Sequence, residues 1–324
     1  MDILWLILGL VLILAGANFL TDGAASVARR LGISDLVVGL TVVAFGTSTP
    51  ELVISIMAAI SGNAPLAVGN VVGSNIFNIL AIIGLTSLVR PIVIERSVMT
   101  RQMPLMLLSS LLLLMLGNSG WIDGTGVNEI SRVSGIFLDL LFILFMIYTV
   151  VVARHESELH PETRQEENKK KEERNVLLST VYILGGLAAL VWGGDRFVDG
   201  ASGIARSLGM SDAMIGLTIV AAGTSLPELA ASVAAAVKGH PGLAVGNVIG
   251  SNIFNTTLVL GGGATILPLP FNGVTNVDLF TLVGASLLFI IFGWWIKERT
   301  ITRLEGGIMF ACYILYTLHL ISTI

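Results

Sequence analysis

The sequence has few charged residues and almost no cysteine. Only 12% of its 324 residues are charged, whereas an average soluble domain is about 25% charged. The single cysteine, Cys312, excludes an internal disulfide and any metal cluster held by several thiolates. The four histidines lie in a polar linker, a loop and a terminus, which argues against a site for soft metals. They are His155, His160, His240 and His319.

The chain is instead rich in long apolar segments, and 54% of its residues are hydrophobic. Ten segments approach the roughly 20 residues that an α-helix needs to cross a bilayer. They are residues 3–28, 34–60, 65–89, 102–118, 133–153, 176–205, 211–237, 242–267, 276–296 and 302–323. The first has no basic residues before it and no A-x-A site, so we expect a span rather than a cleaved signal. The pattern predicts an all-α membrane protein of ten transmembrane helices, embedded in the lipid bilayer.

The chain contains an internal repeat. Residues 31–80 align without a gap with residues 208–257, at a constant offset of 177. Two motifs recur: "LTVVAFGTSTPEL" (40–52) corresponds to "LTIVAAGTSLPEL" (217–229), and "GNVVGSNIFN" (69–78) to "GNVIGSNIFN" (246–255). Since the identity includes polar residues, it exceeds what shared hydrophobicity would produce. The repeated motif regions are 39–80 and 216–257.

Each half of the chain holds five predicted spans, an odd number, so the second half must enter the membrane from the opposite side. This indicates two inverted-topology five-helix repeats, residues 1–153 and 176–324, as in many secondary transporters. The segment between them, 154–175, mixes acidic with basic side chains and has almost no apolar residues. Such a composition predicts a solvated linker.

Basic residues are distributed unevenly among the predicted loops. If the N-terminus lies outside, the linker and the loops that hold Arg29, Arg90, Lys238 and Lys297 all face inward. This is the bias that the positive-inside rule requires. We therefore expect a multi-pass protein of the cell (inner) membrane, with both termini outside and the linker 154–175 in the cytoplasm.

The second span carries an acid and a helix breaker within its apolar sequence. Pro50 has no N–H to donate and its ring crowds the carbonyl of Gly46, where the backbone is expected to bend. The break would leave carbonyl oxygens from Ala44 onward without helical partners, and in hydrocarbon such oxygens line a cavity or bind a ligand. An intramembrane acid such as Glu51 is functional by default.

Hydroxyl groups accompany the acid in both repeats. Thr47 and Ser48 precede Glu51 by one helical turn or less, so the three side chains can share a face. The second repeat supplies Thr224, Ser225 and Glu228 at the same spacing. Two carboxylates with hydroxyl and carbonyl oxygens form a hard donor set that suits Ca²⁺, and Na⁺ ions could share the same oxygens.

The second motif adds polar side chains spaced four residues apart, on one helix face. They are Ser74 with Asn78, and Ser251 with Asn255. Their oxygens could complete an ion's shell, although membrane asparagines also join helices by hydrogen bonds. For Asn75 and Asn252 we favour this packing role.

Glycines recur every seven residues in the first and sixth spans. They are Gly9, Gly16 and Gly23, followed by Gly186, Gly193 and Gly200. Such a smooth stripe allows two helices to pack closely. It would also suit two long helices that slide past the rest of the protein.

The motifs "GTSTPE" and "GTSLPE", each followed by "GNVxGSNIFN", resemble the paired α-repeats of sodium/calcium exchangers. These belong to the Ca²⁺/cation antiporter superfamily, and this chain resembles a short prokaryotic-type member. The resemblance implies alternating access, in which Na⁺ entry drives Ca²⁺ extrusion. It implies no cofactor beyond the transported ions and indicates no nucleic-acid or protein partner.

The resemblance also extends to individual residues. Glu51 and Glu228 match the central Ca²⁺ carboxylates. The residues that match side-chain or carbonyl ligands are Thr47, Thr224, Ser48 and Ser225. Those that match backbone ligands are Ala44 and Ala221. The flanking polar shell is matched by Ser74, Ser251 and Asn78. Asn255 departs from the family pattern, because members often carry Asp there, so one titratable group is missing.

Three other functions fit the sequence less well. Proton-coupled Ca²⁺ antiporters, the closest alternative, usually carry the key Glu in a G-N-x-x-E context, whereas Asn70 is followed here by Val71, Val72 and Gly73. A channel needs a continuous pore, and an inverted duplication favours alternating access instead. No H-E-x-x-H or G-x-S-x-G motif and no Cys–His pairing points to an enzyme.

Overall fold

The structure is a computed structural model, and it describes residues 1–31, 33–124, 126–159, 176–209, 221–296 and 299–323. Helices make up nearly all of the described chain. In order, they are α1 (Asp2–Leu31), α2 (Asp35–Thr47), α3 (Thr49–Ile60), α4 (Ala64–Val89), α5 (Val98–Gly117), α6 (Ser119–Ile122), α7 (Arg132–Leu159), α8 (Val176–Ser207), α9 (Ala221–Thr224), α10 (Leu226–Val237), α11 (Pro241–Ile266), α12 (Asn276–Ile291) and α13 (Arg303–Thr323).

Eight of the described helices are long and apolar enough to cross a membrane, and α2 with α3 counts as a ninth, broken span. The multi-pass, helical membrane fold predicted from the sequence is confirmed. The predicted span 211–237 begins outside the described residues, and only its pieces α9 and α10 are described. The count of ten therefore stays a prediction.

Two short β-ladders depart from an all-helical chain. β1 (Ile92–Val93) pairs antiparallel with β4 (Thr300–Ile301), with Ile92 opposite Ile301. β2 (Glu129–Ile130) pairs with β3 (Leu269–Pro270) in the same sense. Each ladder lies in loops between helices, where pairing satisfies backbone groups that no helix serves. Sequence analysis missed them because strands of two residues leave no periodic signal.

The break in the second span lies at Ser48, with φ −81° and ψ 8°. Its counterpart in the other repeat is Ser225, with φ −94° and ψ 9°. Pro50 and Pro227 occupy the second position of α3 and α10, where no helical partner exists for the N–H that proline lacks. The predicted break is thus present, and the proline opens the next helix.

Gly46 does not bend the chain as we expected, because it lies within α2. Its role is to leave space, since a Cβ there would collide with the side chain of Leu187 on α8. A Cβ on Gly223 would likewise collide with Val198.

The described chain forms two compact units, each drawn from both sequence repeats. One comprises Met1–Thr47 with Met146–Asn247, and the other Ser48–Phe145 with Val248–Ile324. In the first unit, α1 and α8 lie against each other along much of their length. Leu20 of α1 is completely buried in the core of this unit.

The glycine stripes lie in the contact of α1 with α8. A Cβ added to Gly16 would lie 2.7 Å from the carbonyl oxygen of Gly186, and one added to Gly193 would lie 2.9 Å from the N of Ile13. Because these neighbours are backbone atoms, they cannot give way as a flexible side chain would. The stripes therefore serve the close packing of two helices, as one of our two interpretations predicted.

In the second unit, α3 packs on α4 and on the last turns of α11, and α13 packs on α4. Two of the five described π-helical segments lie inside long helices of this unit, Phe77–Ile82 in α4 and Asn255–Val259 in α11. They occupy corresponding positions of the two repeats. Single π-turns inside α-helices occur frequently at functional sites.

Candidate ion-binding site

The first of the two acids, Glu51, lies near the start of α3 in the second unit. Glu51 lies in the first turn of that helix and is only 1% exposed. Ser48 precedes the helix and is fully buried. From α4, the hydroxyl of Ser74 lies 3.5 Å from Glu51 Oε1 and donates to it. The fold therefore places an acid and two hydroxyls in a buried position of the second unit.

The second acid occupies the same place in α10, in the first unit. Glu228 is 1% exposed and lies in the first turn, and Ser225 before it is fully buried. Thr224 is half-buried. Local structure around the two acids thus follows the sequence repeat.

Asn247, which sequence analysis did not single out, forms a hydrogen bond to the backbone of Glu228. Asn247 Nδ2 donates to the backbone oxygen of Glu228 at 3.3 Å and to Ser232 Oγ at 3.0 Å. Its Oδ1 accepts a hydrogen bond from Thr47 Oγ1 at 3.0 Å. This single amide connects α2, α10 and α11 and fixes the turn that carries Glu228.

The corresponding residue of the first repeat, Asn70, donates to Ser55 Oγ at 3.0 Å. Ser55 and Ser232 are themselves corresponding residues. The sequence did hold a signal for both asparagines, because each follows a glycine in the repeated "GNV" motif.

Four asparagines form a cluster in the second unit, and we name Asn75, Asn78, Asn252 and Asn255 the asparagine cluster. Each is 1% exposed. Asn78 Nδ2 donates to Asn252 Oδ1 at 3.1 Å, and Asn255 Nδ2 donates to Asn75 Oδ1 at 3.1 Å. Asn75 and Asn252 also bridge α4 and α11, as the packing role predicted, because each NH₂ group reaches the other residue's backbone oxygen.

Three oxygens of this region have no hydrogen-bond partner among the described residues, although they are buried. They are Asn78 Oδ1, Asn255 Oδ1 and Ser251 Oγ. A buried acceptor left unpaired costs about 1–3 kcal/mol. Such groups occur where an ion or a water is bound, and a cation fits them because amide oxygens are hard ligands.

Both asparagines with unpaired side-chain oxygens lie at the start of the π-helical segments. The backbone oxygen of Asn78 accepts from the N–H of Ile83, and that of Asn255 from the N–H of Leu260. These bonds reach five residues ahead instead of four. The wider turn shifts the helix face at the point where the two amides project, a feature that hydrophobic periodicity does not reveal.

The predicted site residues fall in both compact units. Ala44, Thr47, Ala221, Thr224, Ser225 and Glu228 belong to the first, whereas Ser48, Glu51, Ser74, Asn78, Ser251 and Asn255 belong to the second. Within the second unit, α3 contacts both α4 and the segment Asn255–Val259. The assembly of all twelve into one site stays a prediction.

No group of three His, Cys, Asp or Glu side chains that could hold a metal occurs among the described residues. Candidate donors are instead two separate carboxylates and many neutral oxygens.

Comparison with known proteins gives a consistent result. The family model described as sodium/calcium exchanger protein matches residues 1–151 and 178–322. The putative antiporter CaxA of Alkalimonas amylolytica is 38% identical over 99% of this chain and 98% of its own. The sodium/calcium exchanger MaX1 of Methanosarcina acetivorans is 32% identical over 97% of each chain. The inner membrane protein YrbG of Escherichia coli is 37% identical over 89% of this chain and 87% of its own.

Solved structures show the same similarity. A structure of the sodium-calcium exchanger NCX_Mj soaked with zero Na⁺ and Ca²⁺ superposes with a TM-score of 0.82 and 33% identity, covering 97% of each chain. Another, soaked with 10 mM Na⁺ and zero Ca²⁺, has a TM-score of 0.81 and 34% identity over 97% of each chain. The similarity covers nearly the entire fold, including the repeated motifs.

Proposed function

Because this chain belongs to the sodium/calcium exchanger protein family, we propose that it exchanges Na⁺ for Ca²⁺ across a membrane as a secondary antiporter. One observation carries this proposal. The amide oxygens of Asn78 and Asn255 are buried without a hydrogen-bond partner in the described part of the chain, in the unit that also buries Glu51. Relatives named as a sodium/calcium exchanger and as an antiporter support it.

The charge of the proposed ligands favours a divalent ion as substrate. Glu51 and Glu228 are proposed to supply both carboxylates of the site, a formal charge of −2 that one Ca²⁺ balances. The remaining proposed ligands are neutral oxygens, which suit the six to eight donors that Ca²⁺ takes. They are Thr47, Thr224, Ser48, Ser225, Ser74, Ser251, Asn78 and Asn255, with backbone oxygens of Ala44 and Ala221.

The inverted repeat supports alternating access. Two homologous halves of opposite orientation can exchange conformations, so that the site opens to one side and then to the other. Entry of Na⁺ down its gradient would then drive Ca²⁺ extrusion. In this scheme the repeats are residues 1–153 and 176–324, joined by the linker 154–175.

The decisive experiment is ⁴⁵Ca²⁺ flux in proteoliposomes of the purified protein under imposed Na⁺, K⁺ or H⁺ gradients. We expect flux with an opposing Na⁺ gradient alone. Flux that follows a pH gradient and ignores Na⁺ would replace this proposal with a proton-coupled antiporter. Currents through single open channels would contradict both.

The orientation of the chain is a separate prediction. A tag inserted in the linker 154–175 should be cytoplasmic, and one after Ile324 should be external, because five spans separate them. Accessibility of each tag to an impermeant label in intact cells measures this. Labelling of both tags from one side would break the parity on which the inverted repeats depend. The similarity to a protein named as an inner membrane protein supports that location.

The departure at Asn255 gives a prediction about protons and K⁺. An asparagine cannot ionise, so we expect no K⁺ requirement in the wild-type protein. Asn255→Asp adds a third carboxylate, whose repulsion makes the site bind a proton at higher pH than before. The variant should therefore be inhibited by protons at higher pH, or acquire K⁺ dependence.

The measurement is the pH profile of Na⁺-driven Ca²⁺ flux, with and without K⁺, for both proteins. Superimposable profiles would place Asn255 outside the ion site and leave it a packing residue. An isosteric control is Asn118→Asp, since Asn118 bonds to Asn276 at the end of α5 and has no place in the proposed site. Its profile should match the wild type.

A further inference from the structure

The hydrogen bonds of Asn75 and Asn252 fix which way each side-chain amide is turned. Asn75 Nδ2 lies 3.3 Å from the backbone oxygen of Asn252 and 3.0 Å from Thr256 Oγ1. Asn252 Nδ2 lies 3.4 Å from the backbone oxygen of Asn75. Because a backbone carbonyl can only accept, it holds the NH₂ end of each amide. The Oδ1 of each amide must therefore point away from the carbonyl.

The orientation of Asn75 and Asn252 in turn determines the orientation of Asn255 and Asn78. Asn75 Oδ1 can only accept, and it receives Asn255 Nδ2; Asn252 Oδ1 receives Asn78 Nδ2 in the same way. With their NH₂ groups held, Asn78 and Asn255 turn their own oxygens away from the cluster. Both of these oxygens are buried and have no hydrogen-bond partner among the described residues.

We propose that Asn75 and Asn252 are positioning residues that make Asn255 and Asn78 present an amide oxygen, and not an NH₂ group, to the transported cation. The proposal rests on the proposed function and extends it to two residues that bind no ion themselves. Oxygen and nitrogen of an amide have nearly the same shape, so packing alone does not select between them. A flipped amide would point two N–H donors at a cation and repel it.

The two halves of this device are unequal. Thr256 gives the Asn75 amide a second acceptor, whereas the corresponding residue of the first repeat is Ile79, which has none to give Asn252. Asn252 Nδ2 is thus held by one long bond, and Asn75 Nδ2 by two. We expect the amide of Asn255 to be the more firmly oriented of the two ligands.

The first test removes the orienting acceptor. Asn75→Ala frees the amide of Asn255, and the half-saturating concentrations of Na⁺ and Ca²⁺ should rise about tenfold, the equivalent of one lost hydrogen bond. The maximal rate should change much less. Thr256→Val should give a smaller rise, and Thr256→Ser, which keeps the acceptor, should behave as the wild type.

A matched control separates orientation from general packing. Ser110 of α5 and Ser286 of α12 also share a buried hydrogen bond between helices, at 2.8 Å, but neither orients a proposed ligand. Ser110→Ala should leave both half-saturating concentrations unchanged. An equal rise in this variant would mean that any lost helix contact weakens ion binding.

The decisive comparison repeats Asn75→Ala in a background of Asn255→Asp, at alkaline pH where the new carboxylate is ionised. A carboxylate carries oxygen at both positions, so no orientation remains to be enforced. The rise caused by Asn75→Ala should then shrink to less than about threefold. A tenfold rise in both backgrounds would overturn the inference and assign Asn75 to packing alone.

The inference and the proposed function fail separately. A wild-type protein without Na⁺-driven Ca²⁺ flux would contradict the proposed function, and with it this inference. A wild-type protein that exchanges normally, with an Asn75→Ala variant that keeps wild-type half-saturation, would contradict the inference only. If Asn75→Ala does not fold, Thr256→Val in both Asn255 backgrounds makes the same comparison, with equal rises again contradicting orientation.

Discussion

Glu51→Gln should nearly abolish Na⁺-driven Ca²⁺ flux while the protein stays folded. The acid is 1% exposed, so a bound divalent ion has little water to compensate for a lost charge. Removing one partner of a buried charge pair costs about 3–5 kcal/mol, or more than 100-fold in affinity. Glu228→Gln should have the same effect, because it holds the corresponding position.

The measurement is ⁴⁵Ca²⁺ uptake by proteoliposomes, beside size-exclusion profiles that verify folding. Glu305→Gln is the matched control, since Glu305 is 4% exposed and lies in the first turn of α13. Its carboxylate accepts the N–H of Thr302 at 2.9 Å, a bond that glutamine can keep. Normal flux in a folded Glu51→Gln protein would remove Glu51 from the ion site.

Gly186→Ala should destabilise the protein, whereas Gly185→Ala should not. A Cβ at Gly186 would lie 2.6 Å from the N of Leu20 and 2.8 Å from the backbone oxygen of Gly16. A Cβ at Gly185 meets nothing within 4 Å. Overpacking of this kind costs about 1–3 kcal/mol, and here α1 would have to move away from α8.

Thermal unfolding midpoints in detergent test the pair, because the two substitutions are chemically identical and adjacent. We expect a lower midpoint for Gly186→Ala and a midpoint close to wild type for Gly185→Ala. Equal midpoints would show that the contact between α1 and α8 is looser than the structure has it. Transport by the two variants should follow the same order.

Hydrophobicity and length were sufficient to predict eight of the ten spans, which correspond to eight long apolar helices among the described residues. The prediction 65–89 became Ala64–Val89, and 242–267 became Pro241–Ile266, because an apolar run must be long enough for the bilayer. The broken span was also predictable, since Pro50 limits the helix that precedes it. The family resemblance followed from the repeated motifs and is confirmed by comparison over nearly the whole chain.

Other features could not be predicted, because no local sequence pattern indicates them. All six residues of the π-helical segment Phe77–Ile82 are buried, so one extra residue in a turn does not disturb any visible pattern. The pairing of Ile92 with Ile301 joins residues far apart in sequence. The orientation of the amides depends on which atoms meet, which composition and spacing do not specify.

The asparagine cluster also has a symmetric pattern of hydrogen bonds. Asn75 donates to the backbone of Asn252 and Asn252 donates to the backbone of Asn75, which is the reciprocal pattern of a two-fold symmetric interface between identical subunits. A single repeat could complete this cluster only by pairing with a second copy of itself, because two of the four asparagines come from each repeat. The two halves are no longer identical, and Thr256, which corresponds to Ile79, is one such difference. The ion that we propose at the cluster would therefore meet two unlike halves, and we expect its exits toward the two sides of the membrane to differ in energy.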